Sequence, residues 1–303
     1  KQSLRQSFKK CSLPMKHNSP NETYSLPPKR SMIQTERILE NPAIAIDHAG
    51  DGELVVLLHG IGGNRTNWTK QVEAFYEQFH TVAWDARGYG NSDDYEGALE
   101  FEDFSRDLLA LIDHFGVEKA HLCGLSMGGR IIQDFYRLYP NRVATLILVA
   151  TLASFADGMS ESERQKFTEL RLKPLKEDGK DPKDIAPGVA KSLLGPQASE
   201  MHYRQLVRSM EKLHKESYIK TIESTVTHDK GLDWESVSVP SLLVYGEHDG
   251  LCPPGTGRMI AARIPDSEFI EIPRSGHLIN IEEEELFNQA VLNFLMNQRS
   301  TLS

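Results

Sequence analysis

Residues 122–129 read Leu-Cys-Gly-Leu-Ser-Met-Gly-Gly, and this stretch decides the fold more than any other part of the chain. It places Ser126 at the centre of a Gly-x-Ser-x-Gly pattern, with Gly124 and Gly128 two residues away on either side. The residues before it favour a strand and those after it favour a helix, so the pattern predicts a sharp strand-to-helix turn. Such a turn is a nucleophile elbow: the glycines let the backbone pass close to the serine, whose hydroxyl stays exposed.

A serine hydroxyl is a weak nucleophile at neutral pH, and the sequence supplies two partners further along the chain. A histidine must take the hydroxyl proton, and a carboxylate must orient the imidazole and stabilise its charged form. Residues 239–246 predict a buried strand that is followed at once by a loop carrying Asp249. Residues 268–272 predict the next strand, and His277 follows it in the equivalent loop. We therefore predict Ser126 as nucleophile, His277 as base and Asp249 as the orienting acid.

Other histidines and acids fit these roles less well. Glu247 and His248 share the loop of Asp249 but occupy the wrong places in the pattern. His114 and His121 lie in runs that predict a helix and a strand, respectively. These four residues are therefore left out of the predicted catalytic set.

A glycine-rich loop upstream is a candidate for stabilising the oxyanion. It reads His59-Gly60-Ile61-Gly62-Gly63 and follows the apolar run 54–58. The loop lacks the Lys-Ser/Thr pair of a P-loop and the glycine spacing of a dinucleotide site, which argues against phosphate binding. The backbone N–H of Ile61, together with that of Met127, can instead face the oxyanion of a tetrahedral intermediate. His59 is interpreted as a brace of this loop.

Together these segments resemble the α/β-hydrolase fold superfamily, from about Met32 to the C-terminus. The segments that carry the resemblance are 59–63, 85–92, 124–129, 246–249 and 275–277. The resemblance implies the chain order Ser, Asp, His and a doubly wound, mostly parallel sheet with an inserted helical cap. Residues 123–129 look most like the serine hydrolase branch that holds 3-oxoadipate enol-lactonases and small carboxylesterases.

The chain is also similar to the meta-cleavage hydrolases, which break a carbon–carbon bond of a vinylogous diketone. It departs from them at Leu125, where they tend to carry Asn, and at Leu278, where many carry Trp. Ser126 in place of an aspartate nucleophile argues against the haloalkane dehalogenase and epoxide hydrolase branches. We therefore expect an ester or lactone substrate and keep carbon–carbon cleavage as the alternative.

The pattern of apolar and charged residues divides the chain into four predicted segments. Residues 1–31 hold seven basic residues against one acid and predict a flexible basic arm. Residues 32–151 predict the first part of the core, with a hairpin of strands over 33–39 and 43–48 and then strands that alternate with helices. Residues 152–232 favour charged helices over 161–176, 184–194, 197–213 and 217–227, without a convincing strand, and correspond to the expected cap. Residues 233–303 complete the core and carry the two partner loops.

Apolar side chains of the expected cap are predicted to shape the substrate pocket opposite Ser126. We predict Leu193 and Met201 as substrate-binding residues, together with Trp68 near the oxyanion loop. Trp68 has a second interpretation, in which it anchors that loop instead of lining the pocket. Further apolar candidates in the expected cap are Phe155, Met159, Leu194, Tyr203 and Met210.

The composition limits the partners of the protein. Its 303 residues are 39% hydrophobic and 25% charged, which is ordinary for a globular chain with one large domain and an insertion. A formal net charge of −9 opposes nucleic-acid binding, and no apolar run is long enough to predict a membrane span. The three cysteines, Cys11, Cys123 and Cys252, lack metal-ligand spacing, so we expect reduced thiols and a cytoplasmic location. A monomer or a homodimer is expected.

These residues predict a serine hydrolase that needs neither a cofactor nor a metal. Its expected substrate is a small carboxylic ester or lactone, cleaved through an acyl-enzyme on Ser126. Three alternatives stay open: carbon–carbon hydrolysis by the same residues, acyl transfer, and a small-molecule receptor, because a fold does not fix a function.

Overall fold

The computed structural model describes residues 33–154 and 160–302, which contain an eight-stranded sheet flanked by helices. The predicted basic arm, residues 1–31, lies outside the described residues, as do the pocket candidates Phe155 and Met159. Every helix in the described ranges is too short or too polar to span a lipid bilayer.

The sheet is mixed but mostly parallel. Its strands are β1 (Gln34–Ile38), β2 (Ile44–Ala49), β3 (Leu54–Leu58), β4 (His80–Trp84), β5 (Ala120–Leu125), β6 (Val143–Val149), β7 (Ser241–Gly246) and β8 (Ser267–Ile272). Their spatial order is β1-β2-β4-β3-β5-β6-β7-β8. The predicted hairpin of β1 and β2 is antiparallel, β2 is also antiparallel to β4, and the remaining pairs are parallel. The predicted fold class is confirmed.

Helices follow most of the strands. In the described residues they are α1 (Thr69–Phe75), α2 (Glu102–His114), α3 (Met127–Leu138), α4 (Glu161–Lys176), α5 (Pro182–Leu193), α6 (Glu200–Met210), α7 (Lys215–Thr227), α8 (Pro254–Ala261), α9 (Ile279–Glu282) and α10 (Glu284–Leu302). Short 3₁₀ helices cover Arg65–Trp68, Pro140–Arg142 and Trp234–Ser236.

Four consecutive helices, α4 to α7, are inserted between β6 and β7, and the described part of this insertion contains no strand. The first of them begins at a capping box. The Ser160 hydroxyl accepts a hydrogen bond from the N–H of Glu163 at 3.3 Å, and the Glu163 carboxylate accepts one from the N–H of Ser160 at 2.8 Å. These bonds satisfy donors that a helix start leaves without partners, which explains why α4 begins here.

The central strands are apolar along their whole length. All residues of β3, β5 and β7 are buried, as expected for strands with helices on both faces of the sheet. Since β3, β5, β7 and β8 are parallel, their carboxyl ends lie at one edge of the sheet. The loops that follow them carry Ile61, Ser126, Asp249 and His277. This edge is where open α/β sheets bind their ligands.

A buried ion cluster fixes the chain that follows the glycine-rich loop. Arg65 donates to Asp47 at 2.9 Å and also to the carboxylate of Asp85. The same Asp85 carboxylate accepts the backbone N–H groups of Arg65 at 2.7 Å and Asn91 at 2.8 Å. All these charges have partners, so the cluster ties the 3₁₀ helix Arg65–Trp68 to β2 and to the loop after β4.

Candidate active site

Ser126 has an unusual backbone conformation, with φ 56° and ψ −111°, directly before the first residue of α3. A positive φ is sparsely populated for a residue with a side chain, so the surroundings must hold it. The Ser126 N–H donates to the Val149 carbonyl at 2.8 Å, and the Ser126 carbonyl accepts from the Thr151 hydroxyl at 2.8 Å. The end of β6 and the residues after it therefore fix the elbow at both of its peptide groups.

The two glycines of the motif are required by close backbone contacts. A Cβ on Gly124 would overlap the carbonyl group of Gly128, and a Cβ on Gly128 would overlap the carbonyl oxygen of Leu58. Both contacts are with backbone atoms, which cannot rotate away as a side chain does. The strand β5 and the helix α3 can approach this closely only because these positions lack side chains.

His277 and Asp249 form a buried hydrogen-bonded pair. His277 Nδ1 lies 2.8 Å from Asp249 Oδ2, and the two residues are 3% and 4% exposed. The other carboxylate oxygen of Asp249 accepts the N–H groups of Leu251 at 2.8 Å and Cys252 at 2.9 Å. Because an ionised carboxylate only accepts hydrogen bonds, the imidazole proton lies on Nδ1 and leaves Nε2 able to accept a proton.

Ser126 lines two small cavities. The first cavity, of about 40 Å³, also has His277, Leu193, Arg171 and Met210 in its wall. The second cavity measures about 30 Å³, and its wall includes Met127, Thr151, Phe167 and Cys252. The structure thus brings Ser126 and His277 to one cavity. Ile61 lines both cavities, so it borders the serine from either side.

The two predicted oxyanion donors lie on opposite sides of Ser126 in the chain but border the same space. Met127 is the first residue of α3, where a backbone N–H has no acceptor within the helix and lies at the positive end of the helix dipole. Ile61 lies in a turn that is closed by the Gly63 N–H on the Gly60 carbonyl at 2.9 Å. A turn and a helix start can thereby supply backbone donors to one oxygen atom.

His59 is held by hydrogen bonds at both ring nitrogens. Nε2 accepts from the Ala86 N–H at 3.1 Å, so the proton lies on Nδ1, which donates to the Gly60 carbonyl at 2.9 Å. Burial lowers the pKa of His59, which keeps the ring neutral. The ring joins the glycine-rich loop to the loop after β4, as a brace would.

The three predicted substrate-binding residues have different positions. Leu193 lines the first cavity. Met201 is 71% exposed and lines neither cavity, which corrects the prediction. It is nine residues from Met210 on α6, about two and a half turns, so the two side chains face opposite sides of the helix. Met210 is the one of the two that faces the cavity.

Trp68 also lies away from the cavities. Its side chain is 1% exposed and packs in the core, with its ring 6.0 Å from that of Phe287. Of the two interpretations, the structure supports anchoring of the loop and not contact with a substrate. Of the other apolar candidates, Leu194 and Tyr203 pack in a small cluster with Ala190, Leu206 and Ile281.

Three residues at the site were not anticipated from the sequence. Arg171, on α4, lines the first cavity, and Leu251 lines both cavities. Glu282, on α9, accepts hydrogen bonds from backbone N–H groups next to His277. One signal was available for Arg171: it lies four residues after Phe167 and four before Leu175, on the apolar stripe of its helix.

Cys252 is the remaining chemically reactive group beside the pair. Its thiol lies within 4.8 Å of a carboxylate oxygen of Asp249 and of a ring nitrogen of His277, and the residue is buried. Burial raises the pKa of the Cys252 thiol well above its usual range, with the Asp249 carboxylate adding to the effect. The thiol therefore stays protonated and does not compete with Ser126 as a nucleophile.

Known proteins share this sequence pattern. A family model described as alpha/beta hydrolase fold matches residues 53–284. The 3-oxoadipate enol-lactonase 2 of Acinetobacter baylyi is 24% identical over 253 residues, which cover 82% of this chain and 92% of that protein. A 2-hydroxy-6-oxononadienedioate/2-hydroxy-6-oxononatrienedioate hydrolase of Klebsiella pneumoniae is 28% identical over 274 residues, or 83% of this chain and 90% of that protein.

A solved structure extends the likeness to three dimensions. A thermophilic esterase from Thermogutta terrifontis superposes with a TM-score of 0.73 at 27% identity, over 88% of this chain and 99% of that one. The family match covers more than half of the chain and includes the central sheet, the elbow and the described part of the helical insertion. The resemblance seen in the sequence motifs is confirmed, and the chain belongs to the α/β-hydrolase fold family.

Proposed function

We propose that this protein is a serine hydrolase that cleaves a small carboxylic ester or lactone through an acyl-enzyme on Ser126. One observation carries the proposal. Ser126, at a positive φ before α3, lines the same cavity as His277, whose Nδ1 is hydrogen-bonded to the buried Asp249. A nucleophile, a base and an orienting acid are the three groups that acyl transfer to serine requires.

In the first half of the reaction, the Ser126 hydroxyl attacks the substrate carbonyl while His277 Nε2 takes its proton. Asp249 keeps the imidazole in the tautomer that accepts at Nε2 and stabilises the imidazolium that forms. The N–H groups of Ile61 and Met127 donate to the oxyanion, whose charge develops only in the transition state and intermediate. The imidazolium then gives the proton to the leaving alkoxide, and the acyl-enzyme remains.

In the second half, a water molecule attacks the carbonyl of the acyl-enzyme and His277 takes its proton. The bond between the acyl carbon and Ser126 Oγ then breaks, the imidazolium returns the proton to Oγ, and the acid is released. The two cavities that Ser126 lines suit the two parts of an ester on either side of the carbonyl. Each is well below the roughly 300–1,000 Å³ of a typical ligand pocket. We infer that α4 to α7 act as a cap whose side chains move outward when substrate enters.

The relatives support both the proposed reaction and one alternative. A lactonase and an esterase are among the similar proteins, which favours ester or lactone cleavage. The similar Klebsiella pneumoniae hydrolase is named for a different substrate class, so carbon–carbon hydrolysis of a vinylogous diketone is the second candidate. Leu125 and Leu278, the positions of departure from that class, both line the first cavity and leave its wall apolar there. This favours the ester or lactone.

The Ser126→Ala variant tests the proposal. It removes the nucleophile and keeps the backbone, so we expect kcat for ester hydrolysis to fall by roughly 10⁴- to 10⁶-fold with the melting temperature nearly unchanged. Activity is measured on p-nitrophenyl esters of increasing chain length, simple lactones and one ring-fission diketone. Residual activity above about a tenth of the wild-type value would remove Ser126 from the mechanism.

Labelling by a fluorophosphonate separates an enzyme from a receptor on the same fold. We expect the reagent to label the wild type but not the Ser126→Ala variant, because it reacts with an activated serine. A wild type that is neither labelled nor active on any of these substrates would favour the receptor. Turnover of the diketone alone would favour the second candidate.

A further inference from the structure

Arg171 is a buried cation at the wall of the candidate active site. The residue is 8% exposed, and its guanidinium carbon lies 4.4 Å from the centre of the Phe167 ring. Its Nη1 is buried and has no hydrogen-bond partner among the described residues. No carboxylate of the described residues forms an ion pair with it, unlike Arg65, which is buried to a similar degree and pairs with Asp47 and Asp85.

The burial of the Arg171 guanidinium lowers the stability of the folded protein when no substrate is bound. Removing a guanidinium from water is costly unless hydrogen bonds and an opposite charge compensate. The contact with the Phe167 ring provides a cation–π attraction, but it leaves the in-plane N–H donors of the guanidinium unused. If Arg171 only supported the fold, an apolar side chain at this position would make the folded protein more stable.

Arg171 lies in the walls of both the first cavity and a groove on the protein surface. Arg171, Leu193 and Leu251 line the first cavity and also an outer groove of about 640 Å³ on the surface of the helical insertion. The groove additionally carries Lys180 and Asp184, and the Asp184 carboxylate accepts the Asp181 N–H at 2.8 Å. Arg171 therefore lies between the outer groove and the cavity that Ser126 lines.

We propose that Arg171 binds a carboxylate carried by the substrate, so that the ester or lactone cleaved at Ser126 is an anion. The planar guanidinium presents parallel N–H donors that match the two oxygens of a carboxylate. The single positive charge of a guanidinium neutralises the single negative charge of a carboxylate. A phosphate monoester carries close to two negative charges at pH 7 and would be only partly neutralised. This inference rests on the proposed function, because it names the substrate class for the same site.

Matched pairs of esters test the inference. p-Nitrophenyl hydrogen adipate carries a carboxylate on the acyl side, and p-nitrophenyl hexanoate is its neutral counterpart. 4-Acetoxybutanoate carries one on the alcohol side, with butyl acetate as its counterpart. Values of kcat/KM are measured for the wild type, Arg171→Met and Arg171→Lys. The control is Arg204→Met, which removes an arginine from the exposed face of α6 that pairs with Glu200.

We expect the wild type to prefer the anionic member of at least one pair. Arg171→Met should lower kcat/KM for that anionic ester by roughly 10- to 100-fold more than it lowers kcat/KM for the neutral ester. Arg171→Lys should retain part of the preference, since it keeps the charge but loses the fork of donors. Arg204→Met should match the wild type. Equal losses on both members of each pair, or no anionic preference in the wild type, would overturn the inference.

Two further measurements separate this inference from the proposed function. Adipate is titrated into Ser126→Ala and into Ser126→Ala with Arg171→Met by calorimetry, and binding should be lost only in the second protein. If no ester is hydrolysed but this difference is found, the proposed function fails and the anion site stands. The melting temperature of Arg171→Met should rise, because the substitution removes a buried charge that has no counter-charge among the described residues. A clear fall would indicate a structural arginine and contradict the inference.

Discussion

Asp249 and Glu247 are only two residues apart in one loop, yet their side chains have different surroundings. Asp249 is buried and accepts hydrogen bonds from Leu251, Cys252 and His277. Glu247 is exposed, and its carboxylate accepts the Arg274 N–H at 2.9 Å. Of the two acids, only Asp249 is positioned to select the tautomer of His277.

A pair of substitutions distinguishes the two acids. Asp249→Asn should lower kcat near neutral pH by about 10⁴-fold, because an amide donor favours the wrong tautomer of His277. Glu247→Gln should change kcat less than about 3-fold, since it lies outside the hydrogen bonds of His277. Both variants are assayed near neutral pH and in alkaline buffer, where hydroxide can partly relieve the tautomer defect. A larger loss at Glu247 would move the acid to that residue.

At the scale of secondary-structure elements, the loop of His277 is tied to the helical insertion and not only to the sheet. The His277 N–H donates to the Leu193 carbonyl at the end of α5, at 2.8 Å. The Glu282 carboxylate accepts the N–H groups of Gly195 at 2.7 Å, Gly276 at 3.1 Å and Leu278 at 3.2 Å. One side chain therefore holds the end of α5 and both neighbours of His277 in a fixed arrangement.

Glu282→Gln is expected to loosen this connection. The variant replaces a charged acceptor by an amide whose NH₂ group faces backbone donors, and hydrogen bonds to a charged group contribute about 1.5–3 kcal/mol each. We expect the free energy of unfolding to fall by about 2–4 kcal/mol, with a lower kcat because His277 is less well placed. Urea denaturation and ester hydrolysis measure the two effects.

The adjacent residue provides the matched control. Glu283 forms an ion pair with the half-exposed Arg274 at 3.1 Å, and such surface pairs contribute about 0–1 kcal/mol. Glu283→Gln should therefore leave both the stability and kcat close to the wild-type values. Equal effects of the two substitutions would show that Glu282 has no special part in holding the loop.

At the scale of the whole molecule, buried histidines make stability depend on pH. His121, on β5, is 1% exposed and its Nδ1 lies 3.0 Å from the Thr145 hydroxyl. Burial, with a smaller effect of the Arg299 charge, lowers the pKa of His121 to about 4. The Glu53 carboxylate, 4.0 Å from Nε2, would act in the opposite direction, but it also pairs with Arg299 at 3.2 Å. The folded protein therefore keeps this imidazole neutral.

The sign of the pH dependence follows from this pKa. Between about pH 6.5 and pH 4 the unfolded chain binds a proton at His121 and the folded chain does not, so stability falls as the pH falls. The lowered pKa corresponds to roughly 3 kcal/mol in the free energy of unfolding. This contribution is fully present above about pH 6.5 and is lost as the pH falls towards 4. His121→Asn should remove this part of the difference in unfolding free energy between neutral and acidic pH. An unchanged difference in urea denaturation would contradict a neutral buried His121.

Much of the fold follows from short-range patterns in the sequence. The pattern predicts a helix over residues 161–176, and α4 has these bounds, because a capping box and helix-favouring residues act within a few positions. The ends of helices are predicted less exactly than their existence. A helix predicted over 197–213 spans Glu200–Met210, since Ser199 caps its start. The second core strand, predicted over 43–48, differs from β2 by one residue at each end.

The sequence by itself determined the elbow at Ser126 and the order of the groups that serve it, because a strand, a tight glycine turn and a helix depend on local sterics and hydrogen bonds. Only the tertiary structure decided which face of each inserted helix meets the cavity. It turned Met210 inward and Met201 outward, buried Trp68 in the core, and placed Arg171 in the wall of the cavity that Ser126 lines, with no counter-charge among the described residues. These outcomes depend on what packs across from each side chain, and that neighbour is distant in the chain.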